Sequence, residues 1–225
     1  MGKKGGRADS RVLDVGCGAG NMGHHLRQYG RVTGVDSFIK PLLVARDRQF
    51  DVVLGTAERL PVPTSSFDLV ATLDIVEHCE NDLSVLAECS RACRPGGRLL
   101  LTVPAFPWLW SRNDEINGHH RRYRARELRD KVEGVGLKIE RMTYNNCFAF
   151  PIAALLIVLR RRLKDEPKLA APSTDEDAYQ VEMEPVSPLV NTVLGWFGRI
   201  EAALVRRFDL PVGTGIICVA RKEGS

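Results

Sequence analysis

"VLDVGCGAGNMGHHL", Val12 to Leu26, is the stretch on which the reading of this chain turns. An apolar run ends at Asp14-Val15, and glycines follow at positions 16, 18, 20 and 23. Gly18 to Gly23 fits the G-x-G-x-x-G spacing of pyrophosphate-binding loops, in which the first glycine closes the strand. Here the strand closes at Gly16, two residues before that fingerprint begins, and the acidic Asp14 stands at the strand's carboxyl end. A carboxylate there repels a pyrophosphate and attracts a ligand bearing ammonium and sulfonium groups. Gly16, Gly18 and Gly20 let the backbone approach such a ligand in conformations other residues resist.

The remainder of the chain repeats a strand–helix alternation. Strands are predicted over Arg11–Val15, Arg31–Val35, Asp51–Gly55, Phe67–Leu73 and Arg98–Val103, with helices over Asn21–Tyr29, Ile39–Arg48 and Leu83–Cys93. Beyond Pro104 come a helix near Ala125–Val135 and two further strands, Leu137–Tyr144 and Gly215–Arg221. The fold class is therefore α/β, with ligands expected at the carboxyl ends of the strands. The chain has 225 residues, 44% of them hydrophobic, and a net charge of +4, which is too weak a bias to point to nucleic acid. Six cysteines without a C-x-x-C pair read as buried thiols of a reducing, cytoplasmic compartment, and no spacing completes a metal site.

"VLDVGCGAG", "GVD", "TAERLPVPTSSFDLV", "DIVEH" and "RPGGRLLLTVP" occur in this order. Together they resemble the class I S-adenosylmethionine-dependent methyltransferases, in particular the bacterial small-molecule group, from about Arg11 to Tyr144 and again in the last strand. The resemblance implies a seven-stranded, Rossmann-like, mostly parallel sheet with a helical insertion before the last strand. It also implies S-adenosyl-L-methionine as cofactor and a small-molecule methyl acceptor. Asp14, Gly16, Cys17 and Gly18 would surround the methionine part. Asp36, with Ser37 beside it, would hold the ribose. Thr56, Ala57 and Glu58 would flank the adenine, and Leu73, Asp74 and Ile75 would wall the site. Many relatives carry Asp where Thr56 stands, so the adenine contact is expected to be weaker or replaced. Methylation of RNA or protein on the same fold, and cofactor binding without turnover, are the alternatives.

On the acceptor side, "GHHRRY" supplies His119 and Tyr123 as candidate catalytic residues, since a histidine titrates near neutrality. The competing reading has His119 and Arg122 fixing the loop. Glu77 and His78 are second choices for catalysis, and His24-His25 reads as a surface pair. Phe106, Trp108 and Trp110 either enclose the acceptor or pack under the insertion. Residues 1–10 read as a flexible tail, 11–146 and 213–225 as the core, and 147–212 as a helical insertion or lid. Within it, residues 165–188 read as a flexible acidic loop. "CFAFPIAALLIVLRRRLK" is too short to span a membrane, which needs about 20 apolar residues. Two readings of 147–164 and 189–208 stay open: contact with a membrane surface, or a cap or dimer contact.

Overall fold

The computed structural model describes residues 9–163 and 188–224. The chain runs β1 (Arg11–Val15), α1 (Gly23–Leu26), β2 (Arg31–Asp36), α2 (Ile39–Asp47), β3 (Asp51–Leu54), β4 (Phe67–Leu73), α3 (Asp82–Ala92) and β5 (Cys93–Pro104). It continues through α4 (Arg112–Ile116), α5 (Ala125–Gly134), β6 (Leu137–Asn145), α6 (Phe150–Leu163), α7 (Pro188–Val205) and β7 (Gly215–Lys222). The seven strands form one sheet in the order β3-β2-β1-β4-β5-β7-β6. All pairings are parallel except those of β7, which lies antiparallel between β5 and β6.

Side chains of successive strand residues point to opposite faces, and β1 shows it directly. Leu13 and Val15 join the larger core with Val85, Leu86, Leu128 and Val132 from α3 and α5. Val12 joins the smaller one with Leu26, Val32 and Phe50. A run apolar on both faces is what a central parallel strand requires.

Two elements differ from expectation. The helix expected over Asn21–Tyr29 is a single α turn followed by a 3-10 turn, Arg27–Tyr29. β5 starts at Cys93, not Arg98, because Cys93 pairs with Phe67 and the register then shifts to Leu69–Arg98. "RPGG" is thus an irregularity inside the strand, not its boundary. Residues 1–8 of the expected tail and 165–187 of the expected acidic loop lie outside the described residues, whereas Pro188 opens α7.

The excursion between β6 and β7 leaves and returns at one point. A Cβ on Gly213 would strike the Asn145 backbone, and one on Gly215 its side-chain oxygen. Arg141 ties down the returning chain, its Nε donating to Asp209 at 2.7 Å and its Nη2 to the Phe208 carbonyl at 2.8 Å.

Candidate functional site

The sheet order reverses between β1 and β4, which opens a crevice at their carboxyl ends. From one side enters the glycine loop, and from the other Leu73, Asp74 and Ile75. Gly16 has φ of +73° and lies so close to Ile75 that a Cβ would overlap its side chain. Gly20 and Gly23 are needed for a different reason. A Cβ on either would stand 2.9 or 2.5 Å from the Phe50 ring, which packs beneath the loop. Arg48 holds the loop from outside, its Nη1 donating to the Ala19 carbonyl at 3.0 Å and to Asn21 at 2.6 Å.

Two carboxylates face this loop. Asp36, the last residue of β2, accepts the Gly18 N–H at 2.8 Å on one oxygen and the Phe38 N–H at 3.0 Å on the other. Asp14 is buried, with Oδ2 lacking any partner. Burial first, and Asp36 second, raise its pKa to about 7. The structure places Asp14 beneath the loop beside Cys17 and Phe50 instead of open to the crevice. Cys17 is itself buried, and burial followed by these two carboxylates pushes its thiol up to about 12. Ser37 is exposed beyond β2. After β3, Thr56 bridges Arg59, and Glu58 meets the Cys79 thiol of the "DIVEH" turn.

Asp74 follows β4 with φ of +54°, and Phe106 follows β5 with φ of +58°. Such backbone is strained for residues with side chains and gathers at functional sites. Asp74 is tied to β5 by its N–H, 3.0 Å from Thr102 Oγ1. Burial raises its pKa.

The "GHHRRY" segment is fastened to both strand ends. Tyr123 N–H donates to the Pro104 carbonyl at 2.9 Å, Phe106 N–H to that of Tyr123 at 2.8 Å, and His120 N–H to that of Glu77 at 2.8 Å. His119 Nδ1 lies 3.0 Å from Oδ1 of the fully buried Asp114. Burial raises the Asp114 pKa, but Arg122 Nε at 2.6 Å, the Ser111 N–H at 2.8 Å and His119 together hold it below the usual carboxylate value. An ionised Asp114 only accepts, so it selects the tautomer with the proton on Nδ1, which in the neutral ring leaves the lone pair on Nε2. Arg122 therefore does fix the loop, and through the same carboxylate it orients His119.

Tyr123 has another place. It is fully buried in the main core and its hydroxyl donates to Asp82 at 2.9 Å, with Lys131 and Arg121 on the same carboxylate. Burial and Asp82 drive its pKa far above that of a free tyrosine. The structure thus separates Tyr123 from His119 and assigns it to packing.

Glu77 is fully buried with neither carboxylate oxygen hydrogen-bonded, and burial raises its pKa to about 8. One ligand atom from each of Glu77, His78 and His119 lies within 4.8 Å of the others, and the two histidine rings meet edge to face at 4.6 Å. The cluster suits proton transfer, and its spacing also suits a cation. His24 and His25 lie exposed on α1. Phe106 stacks on Tyr144 at 5.1 Å and meets Trp108 and Phe150. The aromatics after β5 therefore line the crevice side and also support the insertion.

A family of proteins described as "Methyltransferase domain" matches residues 13–101, the stretch from β1 into β5. Over that stretch, less than half of its 225 residues, the chain resembles methyltransferase domains. It is 34% identical over 112 residues to the ubiquinone biosynthesis O-methyltransferase of Pseudomonas aeruginosa, a match covering 45% of this chain and 47% of that protein. The chain thus spans about half the length of the relatives it matches. In fold it is similar to a protein of Bacillus halodurans assigned as a methyltransferase, with TM-score 0.63, 18% identity, and coverage of 96% of this chain and 94% of that one. It is likewise similar to the Haemonchus contortus phosphoethanolamine N-methyltransferase 2 in complex with S-adenosyl-L-methionine, with TM-score 0.59, 16% identity, and coverage of 96% and 49%.

The residues present fit S-adenosylmethionine, the cofactor that the sequence resemblance implies. Both Asp36 oxygens keep a second lone pair after accepting their backbone donors, as a ribose diol needs.

Proposed function

We propose that this methyltransferase methylates an oxygen of a small-molecule acceptor, with His119 Nε2 as general base. The pairing of His119 with the buried, ionised Asp114 carries the reading, and the name of the Pseudomonas relative supports oxygen as the atom. When bound, S-adenosylmethionine supplies an electrophilic methyl group on a sulfonium. Asp36 orients the ribose, and Asp14 offsets the cofactor's positive charge from beneath the loop. Gly16, Cys17 and Gly18 provide close backbone approach. Thr56, Ala57 and Glu58 border the adenine, with Leu73, Asp74 and Ile75 opposite. Phe106 and Trp108 exclude water on the acceptor side. His119 takes the acceptor's hydroxyl proton at Nε2 while Asp114 stabilises the imidazolium that forms.

Transfer from methyl-labelled cofactor to a panel of phenols and catechols tests the activity. His119→Ala is expected to lower kcat by about 100-fold or more with cofactor affinity unchanged, the range of general-base contributions. An unchanged kcat, or a pH–rate profile that keeps its acidic limb in the variant, would remove His119 from the role.

A further inference from the structure

Helix α6 presents Ile152, Leu155, Leu156 and Leu159 to solvent, and the first two are 64% and 58% exposed. These positions are i, i+3, i+4 and i+7, one stripe of a helix. The other side, with Phe150, Ala153, Ala154 and Ile157, is half-buried and turned to the protein. A surface helix of a globular protein carries its polar residues on the outward stripe. Over residues 150–159 of α6 both sides are apolar. The patch continues through Phe148, whose ring lies 5.4 Å from that of Phe197, and on to Trp196, 56% exposed.

Beside this patch the charge is mainly positive. Arg199, Arg206 and Arg207 are exposed and their guanidinium groups have no ion-pair partner among the described residues. The two acidic side chains of this stretch are already engaged, Glu201 with the Asn146 N–H and Asp209 with Arg141. An apolar stripe, an exposed tryptophan and a cationic edge together match the boundary of a bilayer with anionic headgroups. We propose that α6 and α7 dock this face on an anionic lipid bilayer, with the helices lying in the interface. α6 has 14 residues, or roughly 21 Å of helix, against about 30 Å of hydrocarbon, and no described helix is long and apolar enough to cross. A two-fold contact with a second copy would instead set the same cationic surface against itself.

Phe150 meets both Phe106 and Trp108, so the apolar surface is continuous from the strained turn after β5 to the outward stripe. Docking would thereby place the crevice where an acceptor with an apolar tail is concentrated. This last step rests on the proposed function, whereas the docking itself does not.

Flotation of the full chain with vesicles decides it. Equal parts of phosphatidylglycerol and phosphatidylcholine should recover the protein on the order of 100-fold better than phosphatidylcholine alone, at about fivefold per arginine. Arg206→Gln with Arg207→Gln should lower that partition roughly 25-fold, and Leu155→Ser with Leu156→Ser should abolish it. Titration of each variant with S-adenosylhomocysteine reports the fold and cofactor site separately from docking. Wild type that binds S-adenosylhomocysteine yet fails to float with anionic vesicles overturns the proposal and leaves the methyltransferase reading intact. So does equal recovery on both vesicles, or a dimer in the ultracentrifuge that Leu155→Ser breaks while no vesicle is bound.

Discussion

Asp36 offers a graded test of how the glycine loop is built. Its two oxygens accept one backbone N–H each, from Gly18 at 2.8 Å and Phe38 at 3.0 Å. Hydrogen bonds to a charged group contribute about 1.5–3 kcal/mol each. Asp36→Asn keeps one acceptor and turns an amide N–H₂ toward the other donor, so one bond of about 2 kcal/mol is lost. At 1.36 kcal/mol per tenfold, that weakens S-adenosylhomocysteine binding by roughly 30-fold. Asp36→Ala loses both bonds, about 4 kcal/mol, and the affinity should fall by roughly 1,000-fold. Calorimetric titration measures each step, and a thermal melt shows whether the variant is folded. Affinities that are equal in wild type and the alanine variant, both folded, would refute the claim that Asp36 orders the loop. An asparagine variant as weak as the alanine one would show that charge alone acts, and not two separate bonds.

Three further outcomes are expected. Glu77 has a folded pKa near 8 against an ordinary 4.5, so between those values the unfolded chain has released a proton that the folded chain keeps. Stability therefore falls as pH rises from about 4.5 to 8, by roughly 4 kcal/mol, and denaturant melts of Glu77→Gln should show a flatter slope across that window. If the two slopes agree, Glu77 is not held protonated. Gly23→Ala brings a Cβ to 2.5 Å from the Phe50 ring and should destabilise by about 1–3 kcal/mol. Phe50→Leu in the same chain should recover part of that loss, and additive effects in the double-mutant cycle would contradict direct contact. Finally, methyl transfer is expected to survive EDTA undiminished, whereas metal-dependent loss and recovery would assign Glu77, His78 and His119 to a cation.

Much of the fold is legible because strands buried on both faces leave a clear trace. β1 and β4 fall at the boundaries that their apolar runs mark. The turn at Gly16 is readable because strand end and glycine spacing are local properties, whereas the burial of Asp14 beneath the loop is a tertiary one. Arg48 and Phe50 are not readable, since they reach the loop from the far end of α2, a tertiary contact without sequence signature. Asp114 did leave a signal: Ser111 and Asp114 make a capping box, the S-x-x-D pattern at a helix start. What the pattern could not show is that the same carboxylate also reaches His119. Tyr123 follows His119 by four residues, but spacing along a loop does not fix where a side chain points. Its bridge to Ala105 turns the side chain inward, to Asp82.

The pinch at Asn145 has a consequence for how such chains diversify. Gly213 and Gly215 bring the departing and returning backbone together in a space where a side chain would not fit. The sheet therefore experiences the 67 residues from 146 to 212 as a closed loop with fixed ends. Closure entropy grows only slowly with loop length, by about 0.6 kcal/mol per doubling. Helices there can be lengthened, shortened or traded for those of another protein with little strain transmitted to β6 and β7. The excursion behaves as an exchangeable cassette, able to change its helices while the sheet stays as it is.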